Sequence, residues 1–117
     1  MCIYLEVLDK PLSWVGSSLE AVHGFPTEAR RAAGYELRRV QQGLMPSDWK
    51  PMRTVGPGVM EIRLHTGLEH RVFYVARFEE AVYVLHAFEK RTRQTTQADI
   101  ELAKKRLGAV LQARRSR

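Results

Sequence analysis

The chain has 117 residues and a mass of 13.5 kDa, one domain's worth of core, and its 44% hydrophobic and 27% charged residues exclude global disorder. Nineteen Lys and Arg against thirteen Asp and Glu leave a charge of +6 and a pI near 9.9, which suits a polyanion or an acidic partner. No stretch approaches the roughly 18–20 apolar residues of a membrane span, no signal-peptide pattern opens the chain, and Cys2 is the only cysteine, so a cytoplasmic, reducing setting without a membrane partner is expected.

Residues 2–8 are apolar and β-prone, a short strand arm before Asp9-Lys10-Pro11 interrupts the run. Pro11 to Val15 alternates and reads as the first strand. Gly16-Ser17-Ser18 turns into a short helix, with Ser17 or Ser18 as its N-cap and Glu20 placed for a capping box. Gly24-Phe25-Pro26 ends it. Thr27 opens a second helix, whose stripe of Ala29, Ala32, Ala33, Leu37 and Val40 runs to about Gln42, with Gly43 as the C′ residue. Gly34 within this helix predicts a close contact with a neighbouring element. Residues 43–58 read as a long ordered loop carrying Trp49-Lys50, with both tryptophans as packing anchors.

From Val59 the period becomes two. Met60, Ile62 and Leu64 share one face; Glu61, Arg63 and His65 share the other. Thr66-Gly67-Leu68-Glu69 is a hairpin turn flanked by His65 and His70, both expected to be exposed. The return strand sets Val72 and Tyr74 against Arg71 and Phe73. Val82 to Phe88 is a nearly continuous apolar run, as a strand buried on both faces requires. Glu89 to Arg93 is a basic exit. Thr96 caps the last helix, with Asp99 at its third position and a stripe of Ile100, Ala103, Leu107, Val110 and Leu111; Lys104, Lys105 and Arg106 lie outside it, and residues 114–117 form a frayed basic tail.

The order is an N-terminal strand, a helical hairpin, a three-stranded antiparallel meander and a C-terminal helix, an α+β domain spanning residues 1–117. Helices are expected on one face of the sheet. The open face then presents Glu61, Arg63 and Arg71 together, beside Lys90-Arg91. Truncating Arg71 on such a face is expected to leave the fold intact.

At this level the chain resembles the phage-derived, HigB-like branch of the RelE/HigB/ParE toxin superfamily, from Lys10 to Arg106. The resemblance rests on Trp14-Val15-Gly16-Ser17-Ser18, Phe25-Pro26, Gly34-Tyr35-Glu36-Leu37, Trp49-Lys50-Pro51-Met52, Gly56-Pro57-Gly58-Val59-Met60-Glu61-Ile62-Arg63, His70-Arg71-Val72-Phe73-Tyr74 and Val82-Tyr83-Val84-Leu85-His86-Ala87-Phe88-Glu89-Lys90-Arg91-Thr92. It is the ordered set that is specific. The resemblance implies a RelE-like fold and a type II toxin: a metal-independent endoribonuclease that cleaves mRNA on the ribosome and inhibits translation. It implies a cognate helix-turn-helix antitoxin that joins the toxin in a hetero-oligomer. Two departures stand out: Lys90-Arg91 where the branch usually has two lysines, and Thr95-Thr96 where it usually has Thr-Pro. The first keeps the charge and exchanges a point charge for a fork.

Metal-free RNA cleavage uses the 2′-OH as nucleophile and needs cations around the phosphorane and groups that move protons. Arg63 and Arg71, on rigid strands, are the phosphate clamps, with Arg91 at the strand end. Glu61 is the candidate base, and His86 is the alternative acid/base group. Lys90, Lys50 and Arg93 are candidates for the RNA backbone, and Phe88 for stacking a splayed base. No metal site and no cofactor are expected, since phosphate-loop, dinucleotide and zinc-helix motifs are missing from the sequence. The alternatives are a ParE-like binder without nuclease chemistry, and a non-toxic member acting only as a partner.

Overall fold

The computed structural model describes residues 9–116; the strand arm expected at 2–8, with Cys2, lies outside the described residues. The elements run β1 (Leu12–Trp14), α1 (Ser18–His23), α2 (Thr27–Gln41), β2 (Trp49–Pro51), β3 (Val59–Thr66), β4 (Leu68–Val75), β5 (Val82–Glu89) and α3 (Gln97–Arg115). They form one sheet in the order β1-β5-β4-β3-β2. The α+β class, the meander and the last helix agree with the sequence reading. β1 joins the meander by pairing in parallel with β5, Leu12 opposite Val82. The segment read as a long loop contains a further strand, β2, which pairs antiparallel with β3. Three exposed residues, one of them a proline at the sheet edge, leave no hydrophobic alternation to detect.

The larger correction concerns the layers. α1 and α2 cover one face of the sheet, where Ala29, Ala33, Leu37 and Val40 pack with Ile62, Leu64, Val72, Tyr74, Val82 and Val84. α3 covers the other, its Ala103, Leu107 and Val110 clustering with Val59, Phe73, Val75, Tyr83 and Leu85. Both faces of β4 and β5 are therefore buried, which is why β5 reads as an unbroken apolar run. Each fully buried aliphatic or Phe side chain contributes roughly 1.5–3 kcal/mol relative to exposure. Between β4 and β5 the register shifts, with Phe73 opposite His86 and Tyr74 opposite Val84. Leu85 is the extra residue, as in a β-bulge, and it packs on the α3 side.

Several local details depart from the sequence expectation. Ser17 is the N-cap of α1 without a side-chain cap bond, so there is no capping box. Its hydroxyl instead accepts from Arg106 Nη2 at 3.0 Å, and buried Ser18 donates to Val84 O at 3.0 Å. Arg106 turns inward, donating also to Leu85 O, and burial lowers its pKa. Arg114 is no frayed tail: it sits in α3, pairs with Glu80 at 2.6 Å and lies over the Phe78 ring. The guanidinium, with the Tyr83 hydroxyl, holds the Glu80 carboxyl down at about 2. Gly43 has φ +83, as its place after α2 requires.

Gly34 makes no close contact. It is exposed on α2, and a Cβ there would meet nothing within 4 Å. Gly34→Ala is therefore expected to stabilise the fold by roughly 0.5–1 kcal/mol through reduced backbone entropy of the unfolded chain. Chemical denaturation checks this, and a lowered midpoint would mean that the site needs its glycine.

Candidate functional site

A cleft of about 280 Å³ opens where β2 and β3 meet the segment between β5 and α3. Lys50, Glu61, Arg63, Lys90 and Arg93 line it, and Gln94, Thr95, Met52 and Ile100 complete its walls. Sheet register explains the placement. Lys50 stands opposite Glu61, Glu61 opposite Phe73, and Phe73 opposite His86; one step along, Arg63 stands opposite Arg71 and Arg71 opposite Phe88. These two rows lie on the α3 side of the sheet, at the end that the helix leaves open to the cleft. Lys50 and Arg93 have no ion pair among the described residues, so their charges remain available to a ligand.

Glu61 is the buried centre of the site, 2% exposed. Its Oε1 lies 3.3 Å from Arg63 Nε and its Oε2 3.7 Å from Arg71 Nε. Neither Nε makes a hydrogen bond, so the attraction is Coulombic. Arg63 is about a third exposed and reaches the cleft. Arg71 does not line it. Its side chain is 6% exposed, with Nη1 donating to Glu69 Oε1 at 2.9 Å and to His70 O at 3.1 Å. The expectation that Arg71 stands on an open surface is therefore overturned: its side chain is buried in the row between Arg63 and Phe88, and removing the guanidinium would leave Glu61 short of a buried counter-charge.

His86 also lies behind the cleft rather than in it. Its Nε2 is 2.7 Å from Asp99 Oδ1, its ring stacks on Phe88 at 5.0 Å, and Phe73 meets both rings edge-on. Asp99 in turn accepts from the Thr96 hydroxyl, while Thr96 Oγ1 caps the Asp99 N–H. This chain ties β5 to the start of α3 and so fixes Thr95, a cleft wall. Phe88 is half-buried in the same aromatic group. Lys90 donates to the Thr92 and Arg93 carbonyls and folds the wall loop around itself. Arg91 points away: its side chain is 79% exposed and pairs with Glu89.

The remaining histidines divide. His70 is buried, not exposed, with its ring tilted against Phe25 at 4.4 Å. His65 is exposed and bridges Glu69 (2.8 Å) and Asp48 (2.6 Å), clasping the lead-in of β2 to the hairpin. Hydrogen bonds to Glu69 and then Asp48 raise the His65 pKa above its ordinary 6.5; His65 and then Arg71 lower Glu69 below its ordinary 4.5. The raised imidazole contributes stability below about pH 6.5 that is lost as pH climbs through its folded value, and the depressed carboxyl contributes above about pH 4.5 and is lost as pH falls through its folded value. The melting-temperature advantage of the parent over His65→Ala is thus expected to peak between those values and shrink on both sides. A flat difference from pH 4 to 9 would mean that the clasp carries no charge.

Residue reasoning overlooked Asp99, Gln94, Thr95 and the half-exposed Glu69 that partners Arg71. Asp99 was legible only as a helix-start acid, and the others have no signature. Trp49, expected as an anchor, is 38% exposed on the edge strand. Among the described residues no group of three or more His, Cys, Asp or Glu could hold a metal, and no helix is long and apolar enough to cross a membrane. Compared with known families, residues 20–108 match the model described as "Phage derived protein Gp49-like (DUF891)", a span that includes every cleft residue. No curated protein matches the chain.

Proposed function

The chain belongs to the Gp49-like family of phage-derived proteins, and from that membership and the cleft we propose that it is the toxin of a type II toxin–antitoxin pair, an endoribonuclease that cuts mRNA at the ribosome. The observation that carries the reading is the cleft's charge pattern. Lys50, Arg63, Lys90 and Arg93 converge around one buried carboxylate. Four cations in a concave site fit a phosphodiester better than a neutral or cationic ligand.

In this mechanism the phosphate binds between Arg63 and the Lys50 and Arg93 charges. The ribose 2′-OH gives its proton to Glu61 and attacks the phosphorus. Arg63 stabilises the extra negative charge of the phosphorane. The 5′-oxygen leaves and is protonated from solvent at the cleft mouth, so the products are a 2′,3′-cyclic phosphate and a 5′-hydroxyl. Glu61 is preferred to His86 as the base because it lines the cleft and His86 does not. The donor set supports chemistry without a metal, since the cleft's one carboxylate already faces two guanidiniums. Arg71 acts through Glu61, and Arg91 has no role at the reacting phosphate.

The partners on this reading are mRNA, the ribosome and a cognate antitoxin that silences the cleft. Inducing the chain alone is expected to arrest growth, with new mRNA 5′ ends that are absent from cells producing a Glu61→Gln, Arg63→Ala variant. Arrest without new ends would favour a binding toxin of the ParE kind, and unimpaired growth with folded protein present would remove the toxin reading. Purified protein with programmed ribosomes is expected to cut at the same rate after a cation exchange that replaces Mg²⁺ yet keeps the ribosomes assembled. A rate that tracks Mg²⁺ itself would replace the metal-free mechanism.

A further inference from the structure

Beside the charged cleft lies a second depression of about 300 Å³, lined by Lys50, Pro51, Met52, Arg53 and Thr54. The two share Lys50 and Met52 as a common wall, so they lie side by side along β2. The far end of the second is held rigidly. Met52 N donates to Val59 O at 2.8 Å, and Val55 N and Gly56 N both reach Met52 O at 3.0 and 3.3 Å. Met52 and Val55 are buried in the α3-side core, and this turn holds Arg53 and Thr54 outward. Arg53 has no ion pair or side-chain hydrogen bond among the described residues. In contrast, Arg38, Arg39, Arg91 and Arg114 each face a carboxylate.

We infer that this depression is a nucleotide subsite for the residue flanking the scissile phosphate, with Arg53 on the neighbouring phosphate and the base lying over the exposed Pro51 ring. The inference rests on the RNA-cutting reading of the first cleft and adds to it where the strand runs. The chemistry at hand suits a nucleotide rather than a bare anion. Pro51 offers apolar surface to a base, Arg53 offers a fork to a phosphate, and Thr54 offers a hydroxyl to a sugar or base edge. An acidic peptide would use the cations and leave the apolar wall unused. Because the hydrogen-bonded turn fixes the depression beforehand, little ordering cost accompanies binding.

The test uses labelled 2′-O-methyl RNA, which lacks the nucleophile and cannot be cut, in anisotropy titrations at low ionic strength. Lengthening the strand from a dinucleotide to a tetranucleotide is expected to tighten binding to the parent protein by about tenfold, the scale of one charge-assisted contact. Arg53→Ala should lose that gain, and its log–log salt slope on the tetranucleotide should be shallower by about 0.7. Lys105→Ala, which removes an exposed α3 cation that has no ion pair, should keep it. If the parent gains nothing from length, or Arg53→Ala keeps the gain, the subsite is wrong while the first cleft stands. Equal loss in both variants, or equal competition by polyglutamate of matched charge, would reduce the subsite to general attraction and overturn it. Failure of the parent to bind either strand would remove the first cleft and the subsite together.

Discussion

Arg71→Ala is expected to lose roughly 3–5 kcal/mol of folding stability, the usual result of removing one partner from a buried ion pair. Domains of this kind have about 5–15 kcal/mol in all, so the loss is a large fraction of the total. The cost falls on Glu61, which stays buried with Arg63 alone at 3.3 Å. Glu69 also loses its 2.9 Å donor, but that carboxylate is 41% exposed and water replaces the bond at little cost. The double variant Glu61→Leu, Arg71→Met separates the two contributions. With both charges gone and the volume kept, it should recover most of the lost stability and have no activity. Urea unfolding of the three proteins decides the matter. An Arg71→Ala protein that unfolds at the parental midpoint would show that Glu61 does not depend on it.

Arg63→Ala is expected to do the opposite: it should cut at least about a hundredfold more slowly while keeping its fold. A transition-state contact to a developing oxyanion contributes roughly 3 kcal/mol, which is about two orders of magnitude in rate. Arg63 is about a third exposed, and Arg71 remains 3.7 Å from Glu61 after its removal, so the stability change should stay near 1 kcal/mol. Arg63→Lys should recover only part of the rate, because a point charge replaces a fork. Single-turnover cleavage on programmed ribosomes, read alongside thermal melts, makes the comparison. Parental rates in Arg63→Ala would move the reacting phosphate out of this cleft. The two arginines look equivalent by strand pattern, and it is burial that separates them: Arg71 is enclosed at 6% exposure and Arg63, at 34%, reaches the cleft.

That contrast shows what could be read before folding. The alternation of β3 put Met60, Ile62 and Leu64 on one face and Glu61, Arg63 and His65 on the other, which the register bears out. Side-chain period determines facing, and facing needs no tertiary information. Whether the second face was covered depended on the path of α3, and a single amphipathic stripe does not say which side of a sheet it will meet. From that one missing fact came the misplacement of Arg71 and the view of Arg106 as solvated, whereas His70 was misplaced because Phe25, from the α1–α2 connection, covers it on the opposite face. β2 was missed because an edge strand of three exposed residues has no core-facing pattern. Asp99 was missed because its partner, His86, lies across space on another element. Lys50, Glu61, Arg63, Lys90 and Arg93 were all named from the sequence, and the fold brings those five to one cleft. Their chemical roles await the rate measurements above.

The parallel pairing of β1 with β5 has a consequence for timing. Leu12 must wait for Val82 before it has a strand to join, and β5 must form before α3 can lie down on Phe73 and Leu85. Contacts so far apart in the chain make the entropy of closing the loop the main obstacle to folding, and such topologies form late and slowly. The cleft itself draws on residues from Lys50 to Ile100. A polypeptide still being synthesised therefore has no groove until its last third is free. The moment at which the groove first exists is thus set by strand order.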